Sequence, residues 1–231
     1  MRGVISVESV LAEMRTKRNP KAVEGMARFG ISAEGTLGLS VPFLRSLAKR
    51  IGKDHELSKG LWESGVHEAR ILAALVDDPR RVTESQMEKW VADFDSWDVC
   101  DACCGNLFER TPFAYKKAVD WSRREGEYVK RAGYVLMAEL ALHDKKAPDQ
   151  AFIEFFGAIE RGSTDPRNFV KKAVNWALRQ IGKRNPKLNG AALELAGKLA
   201  KKDSASARWV ASDAIRELKS EGVQKRLRRS S

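Results

Sequence analysis

The chain has 231 residues, of which 43% are hydrophobic and 32% are charged, and its formal net charge is +11 at pH 7. A chain of this length can bury one sizeable core or form one elongated array without requiring two domains. It has no apolar run near the roughly 20 residues of a membrane span, and its first residues do not form a signal peptide. The sequence therefore predicts a soluble, cytoplasmic protein with no membrane partner.

The excess positive charge lies in two segments. Residues 161–187 carry eight Lys or Arg against one acid, and residues 219–231 carry five against one. These two excesses account for the whole net charge, so the rest of the chain is balanced. A local positive field fits a polyanion-binding surface better than general solubility. The second segment is predicted to be a frayed tail that either adds non-specific phosphate contacts or has no role.

Apolar residues recur with helical periodicity along nearly the whole chain, separated by short breaks that contain Gly, Pro or Asp. We find no alternating segment followed by a hairpin turn, which would indicate a sheet. The sequence therefore predicts an all-α protein. The predicted helices are Val4–Lys17, Val41–Ile51, Leu57–Glu63, Val66–Val76, Glu84–Val91, a central helix Trp97–Arg110, Phe113–Arg124, Glu127–Leu142, Ala147–Ala158, Pro166–Ile181, Ala191–Leu199 and Ala205–Leu218.

The predicted helices also repeat. Five of them carry a small or apolar residue at a similar place, directly after a polar or aromatic residue, at separations of 30 to 41 residues. Such irregular spacing is typical of HEAT-like helix pairs, which form a curved α-α superhelix and line its concave side with the second helix of each pair. We therefore predict one HEAT-like domain over residues 1–218, followed by a basic tail over residues 219–231. The residues expected near the concave groove are Glu68, Asp101, Arg131, Lys172 and Trp209.

The central helix is predicted to begin after a cap at Asp95 or Ser96. Along one edge of it, Trp97, Asp101 and Gly105 follow one another at intervals of one turn, which gives an aromatic wall, an acid and room for a ligand. The alternative is that Trp97 is a boundary core residue and Asp101 a solvated or salt-bridged acid. The face predicted to be buried carries Cys100, Cys103, Cys104, Leu107 and Phe108.

All three cysteines of the chain lie on this helix. A Cys-x-x-Cys pair can bind a metal or act in redox chemistry, but a structural zinc needs four ligands and the three histidines have no ligand spacing. We therefore predict that the cysteines are small apolar core residues in a reducing compartment, and that the protein holds no metal.

The helix Pro166–Ile181 places a second tryptophan away from its own apolar face. Trp176 falls about 140° from the centre of that face, with Lys172 one turn before it and Arg179 three residues after it. Trp176 either packs under a neighbouring element or stacks on a sugar or base beside phosphates. The helix is predicted to be capped by Thr164 or Asp165.

Six segments, taken together and in order, resemble the AlkD-like DNA alkylation-repair glycosylases, which are HEAT-like superhelices. The resemblance covers most of the chain. By position it implies that Asp101 is the catalytic Asp and that Trp97 and Trp176 are the two groove tryptophans. It also places Arg131 in the cleft and Arg179 at a further basic groove position. The segments are Gly25–Ile31, Ser40–Arg45, Leu61–Arg70, Ser96–Asp101, Val129–Ala132 and Val170–Arg179.

The chain departs from the family pattern at two places. Phe29 stands where the family usually has a tyrosine, and Ser96 stands where members can carry a second tryptophan. The first difference removes a hydroxyl and the second removes part of the groove wall. Both bear on the range of substrates more than on the chemistry.

The sequence has no metal site, nucleotide-binding loop or dimer-forming heptad, so we expect a cofactor-free monomer. The resemblance implies a nucleoid-associated enzyme of the bacterial type. Its expected partner is duplex DNA with alkylated bases, from which it would release N3- and N7-alkylpurines without flipping them into a pocket. Asp101 would favour the developing sugar cation, while Trp97 and Trp176 would hold the deoxyribose. Two alternatives are a non-catalytic DNA-binding relative and a HEAT-like scaffold for a protein partner. Phosphate contacts are expected from Arg131, Lys172 and Arg179.

Overall fold

The computed structural model describes residues 5–229, and every regular element in this range is a helix. The all-α prediction is therefore confirmed for these residues. Val4, the predicted start of the first helix, lies outside the described range. The chain divides after Thr111 into two compact units. Among the described helices, none is both long and apolar enough to cross a lipid bilayer.

Most helices of the first unit begin after a polar N-cap residue. Asn19, Ser40, Asp54 and Thr83 each accept a hydrogen bond from a backbone N–H of the first turn. The helices described in this unit are α1 (Val7–Thr16), α2 (Pro20–Ala27), α3 (Val41–Ile51), α4 (His55–Glu63), α5 (His67–Val76), α6 (Glu84–Ala92) and α7 (Trp97–Asn106), followed by a 3₁₀ turn (Phe108–Arg110).

Helices of the first unit pack as consecutive pairs. The helix α4 packs against α5, and α5 packs against α7. Trp62 of α4 stacks on Trp90 of α6, with ring centroids 4.1 Å apart. His67 of α5 is hydrogen-bonded to Asp98 of α7 over 2.9 Å. Each pair therefore contacts the next through both of its helices, as in HEAT-like repeats.

The second unit contains the longest helices of the described chain. They are α8 (Ala114–Trp121), α9 (Glu127–His143), α10 (Asp149–Ile153), α11 (Phe156–Gly162), α12 (Asn168–Gly182), α13 (Pro186–Ala200), α14 (Ala205–Leu218) and α15 (Glu221–Arg228).

Helices α9, α12 and α14 form one layer of parallel helices. Contacts between α9 and the α12 region advance along both in the same direction, from Arg131 with Phe169 to Ala141 with Arg184. Contacts between α12 and α14 advance in the same way, beginning with the bond from Asn175 Nδ2 to the Val210 oxygen. The partners α8 and α13 pack against α9 and α14 respectively. A layer of parallel helices is what successive helix pairs of a HEAT-like stack produce.

Most predicted helices have different bounds in the structure; α13, for example, begins at Pro186 and not at Ala191. The central helix ends at Asn106, and its last residues form the 3₁₀ turn, in which Phe108 is fully buried. The segment Ala147–Ala158 is divided between α10 and α11. Helix α12 begins at Asn168 and not at Pro166, because the Asp165 carboxylate accepts the Arg167 N–H over 3.0 Å and so holds the preceding turn.

Two helices were not predicted. The short helix α2 buries only Val23, although Asn19 and Pro20 give it a cap and a favoured first residue. Within the described residues the tail is not frayed, because Glu221–Arg228 form α15 and bury Val223 and Leu227. Ser230 and Ser231 lie outside the described residues. The amide of Gln224 fixes α15 further, by donating to the Leu218 oxygen over 2.7 Å.

Candidate functional site

The buried face of α7 carries the residues that its periodicity predicted. Cys100, Cys103, Cys104, Leu107 and Phe108 are all fully buried, and the cysteines are free thiols. Burial raises the pKa of the Cys103 and Cys104 thiols well above the ordinary value, because desolvation disfavours the thiolate. The prediction that the cysteines are core residues is therefore confirmed.

The opposite edge of α7 carries Trp97, Asp101 and Gly105, and all three are partly exposed. The indole Nε1 of Trp97 donates to the backbone oxygen of Phe29 over 3.1 Å. This bond fixes the tryptophan against the turn that follows α2, where the Phe29 side chain is 68% exposed. An indole, an acid one turn later and an exposed phenyl ring therefore lie on one surface of the first unit.

The start of α7 is held by a charged pair that the sequence did not single out. His67 Nε2 donates to Asp98 Oδ2, and Asp98 Oδ1 accepts the Val99 N–H over 3.0 Å. Burial opposes both charges, but the hydrogen bond and the opposite charge raise the pKa of His67 and lower that of Asp98. Ser96 occupies the N-cap position without a side-chain capping bond. The pair fixes the first turn of α7, and hence the position of Trp97 and Asp101.

Glu68, which the repeat pattern placed near the groove, is a buried residue that supports a neighbouring loop. It is 1% exposed. Its carboxylate accepts the backbone N–H groups of Leu37, Gly38 and Leu39 over 2.8, 2.6 and 3.0 Å. Three such bonds satisfy a buried carboxylate, so Glu68 holds the loop before α3 and does not line a groove.

Helix α12 presents a polar stripe opposite its buried face. Lys172 is exposed, and Trp176, Arg179 and Lys183 are partly exposed. The four residues follow one another at helical intervals, so they form one line along the helix. Trp176 is therefore outside the core of its own helix. We call these four residues the α12 stripe.

Acids from α14 neutralise the C-terminal half of the α12 stripe. Arg179 is ion-paired with Glu217, and its Nε lies 3.6 Å from Asp213 Oδ2. Lys183 Nζ lies 2.7 Å from Glu217 Oε1. Although burial acts in the other direction, these cations lower the pKa of Glu217. The charge available to an anion is therefore greatest at Lys172, in the N-terminal half of the stripe.

Arg131 and Trp209 differ in exposure. Arg131 is 6% exposed, and its Nη1 donates to the Phe169 oxygen over 2.6 Å, which ties α9 to the first turn of α12. Trp209 is 41% exposed, and the Lys171 ammonium lies 4.9 Å from the centre of its ring. Arg131 thus has a positioning contact, whereas Trp209 and Lys171 form an accessible aromatic–cation pair beside the stripe.

The predicted site residues fall into two groups. Trp97 and Asp101 share one edge in the first unit. The second unit holds Arg131 and, on the α12 stripe, Lys172, Trp176 and Arg179. The structure therefore brings together the members of each group within its own unit.

A sequence model of a family described as DNA alkylation repair enzyme matches residues 10–218. Two uncharacterized Listeria proteins are similar over 140 residues, one from Listeria innocua at 26% identity and one from Listeria monocytogenes at 24%. This match covers 59% of the chain and 62% of each relative, so it spans less than two thirds of their length.

Among solved structures, the chain is similar to a member of a family that is related to the HEAT-like repeat DNA glycosylases and has affinity for branched DNA structures. The TM-score is 0.75 at 18% identity, over 92% of this chain and 95% of the other. The HEAT-like fold that the repeat spacing predicted is therefore confirmed.

Proposed function

Because the chain belongs to the DNA alkylation repair enzyme family, we propose that it hydrolyses the N-glycosidic bond of N3- and N7-alkylated purines in duplex DNA. The observation that carries this proposal is the exposed edge of α7, where Asp101 follows Trp97 by one turn while the other face of the helix is buried. An acid and an aromatic ring held on a rigid helix are the groups that a sugar cation requires.

The substrate determines what the acid must do. An N3- or N7-alkylpurine already carries a positive charge, so it leaves without being protonated, and the sugar passes through an oxocarbenium-like state. Asp101 in its ionised form stabilises that cation and positions the attacking water. The Trp97 indole, whose N–H is held by the Phe29 oxygen, contributes a cation–π interaction as charge grows on the sugar.

The second unit supplies the DNA contacts in this proposal. Within this unit, Trp176 offers a ring on which a nucleotide can stack, and Lys172 binds a phosphate next to it. Arg131 stabilises the packing of α9 against the first turn of α12, because its guanidinium is buried against the Phe169 oxygen. A DNA phosphate that binds Arg179 must compete with the Glu217 and Asp213 carboxylates for its guanidinium. Lys172 is therefore the stronger candidate for a phosphate contact.

The second candidate function is DNA binding without base release. It is favoured by the similarity of fold over 92% of the chain to a protein whose family has affinity for branched DNA. Neutralisation of Arg179 and Lys183 does not distinguish the two functions, since both need a positive surface.

Release of 7-methylguanine from a methylated duplex separates the two candidates. The full chain is incubated with the duplex at an excess of protein, and free base is measured by chromatography against an unmethylated duplex. We expect release well above the spontaneous rate. Binding of the duplex with release at only the spontaneous rate would reject the hydrolase and support the second candidate.

A further inference from the structure

A hollow of about 310 Å³ lies at the C-terminal ends of α9 and α12, next to the helix α15. Four cations line it, together with Gln180 and the exposed side chain of Leu142. No acid is among its lining residues in the described part of the chain. The four cations are Lys145, Lys183, Arg184 and Arg226. We call this the α15 hollow.

Arg184, one of the four cations of the α15 hollow, is held in place by neutral groups. Arg184 donates to the backbone oxygens of Ala141 and Ala147 over 2.8 and 3.3 Å, and its guanidinium lies 4.0 Å from the centre of the Phe152 ring. Burial lowers the pKa of Arg184, because desolvation disfavours the charged form. Glu217 partly neutralises Lys183. Arg184 keeps its charge while it is fixed at the wall of the hollow.

Helix α15 brings the last cation to the hollow. Ser220 caps this helix, and Val223 and Leu227 are buried on one face. The Gln224 amide bonds both the Leu218 oxygen and, over 3.2 Å, the Asn189 side chain. The basic tail is thus docked in a defined position, with Arg226 turned to the hollow.

Among the described residues, four cationic side chains and no acid line the α15 hollow, so it presents a positive local field to an anion. The backbone contacts of Arg184 hold its guanidinium at the wall of the hollow. A phosphate in the hollow would gain from this field and from the N–H donors of the lysine and arginine side chains.

We propose that the α15 hollow binds a phosphodiester group of the DNA backbone. Lys183 belongs both to the hollow and to the α12 stripe, so the stripe leads directly to it. From Trp176 to Lys183 the helix rises about 10 Å, which is about the axial rise of three base pairs of B-DNA. DNA that lies along the stripe and stacks a nucleotide on Trp176 therefore has backbone phosphates within reach of the hollow. This placement rests on the proposed function, whereas the phosphate site itself needs only DNA binding.

The test measures affinity for an undamaged duplex, so it does not depend on base release. The variant Lys145→Gln/Arg226→Gln removes two charges from the hollow. The control Lys198→Gln/Lys201→Gln removes two charges from exposed positions at the end of α13. Binding of a labelled 20-base-pair duplex is followed by anisotropy from about 50 to 200 mM NaCl, the range in which phosphate contacts change affinity most clearly.

We expect the hollow variant to bind about tenfold more weakly at low salt and to lose about one to two units of the slope of log K against log salt, because each phosphate contact contributes about 0.9. The control should keep at least three quarters of the parent's slope. The conservative variant Lys145→Arg/Arg226→Lys, which retains the charges, should restore the slope and so exclude a folding defect.

Equal slopes for the hollow and control variants would overturn the proposal. Calorimetric titration of the full chain with inorganic phosphate distinguishes the source of the anion. If the hollow variant lost binding of inorganic phosphate but kept the parent's duplex affinity and slope, the hollow would take a free anion, and the assignment to backbone DNA would be wrong. An inactive parent protein that still showed the expected slopes would reject the glycosylase and retain the phosphate site.

Discussion

The indole nitrogen of Trp97 is hydrogen-bonded to the backbone oxygen of Phe29, 68 residues earlier in the chain. The bond joins the first turn of α7 to the turn after α2, and it leaves the face of the indole ring as the part of Trp97 that can meet a ligand. Since a backbone oxygen is the acceptor, the bond does not depend on the nature of the side chain at position 29. The loss of the family's usual tyrosine there is therefore compatible with a fixed Trp97.

The Trp97 ring should contribute to excision beyond its hydrogen bond. Trp97→Phe keeps an aromatic face but removes the N–H donor, whereas Trp97→Ala removes both. Since cation–π interactions are worth about 0.5–2 kcal/mol and are strongest for tryptophan, we expect a fall in single-turnover excision of about threefold for Trp97→Phe and about tenfold or more for Trp97→Ala. Equal rates for the alanine variant and the parent would remove Trp97 from the site.

Glu217 should limit the affinity of the protein for DNA. Glu217→Gln removes the acid that pairs with both Arg179 and Lys183, so Lys183 becomes available to phosphates while Arg179 keeps only its contact with Asp213. We expect about fivefold tighter duplex binding at low salt, with a slope of log K against log salt steeper by about one unit. Filter binding or anisotropy over a range of salt measures both quantities.

The control for this prediction is Glu194→Gln, which removes the same charge from an exposed pair with Lys198. If both variants tightened binding equally, net charge alone would explain the effect. The α12 stripe would then have no special role in it.

The pair of His67 and Asp98 should make stability depend on pH. The pKa of His67 is raised above its ordinary value of 6.5 in the folded protein, so its stabilising contribution is complete below 6.5 and is lost as the pH rises through the folded pKa. The pKa of Asp98 is lowered, so its contribution is lost only when the pH falls through that lower value. The folded protein thus gains most from the pair in mildly acidic solution.

We therefore expect the stability advantage of the parent over His67→Gln to shrink as the pH rises above 6.5. At pH 6 the advantage should be about 1–3 kcal/mol, as for loss of a buried charged partner. Urea unfolding of both proteins between pH 5.5 and 8.5 measures the difference. A difference that stays constant over this range would show that the imidazole does not gain a proton on folding.

Periodicity predicted which residues share a face because that information is local. The burial of Cys100, Cys103 and Cys104 on α7 and the partly exposed position of Trp176 on α12 both follow from the angle between successive residues. Helices with many apolar residues were predicted for the same reason, because their periodic pattern is strong. The short helix α2 was missed because only Val23 is buried, so it carries almost no periodic signal.

Tertiary partners could not be predicted in this way. Glu68 is buried because three backbone amides about 30 residues earlier bind its carboxylate. Arg131 is buried because its acceptor, the Phe169 oxygen, lies 38 residues later. Arg179 is neutralised by an acid 38 residues later. In each case the residue type suggested a charge at a surface, whereas a distant segment determines whether that charge is available.

The proposed chemistry depends most on the Asp101 carboxylate, which the variant Asp101→Asn replaces. The amide has the size of the carboxylate but cannot stabilise a sugar cation by charge, so single-turnover release of 7-methylguanine should fall by about 100-fold or more. Affinity for the same duplex should stay within about twofold of the parent. Asp95→Asn, an exposed change in the loop before α7, serves as the matched control and should leave both quantities unchanged.

The measurement is the single-turnover rate of base release for the parent, Asp101→Asn and Asp95→Asn on one methylated duplex, with affinity measured in parallel. Our prediction is that base release is lost only in Asp101→Asn and that all three proteins retain their affinity for the duplex. Release by Asp101→Asn at a rate within about threefold of the parent would contradict it, because charge at position 101 would then contribute less than about 1 kcal/mol to the transition state.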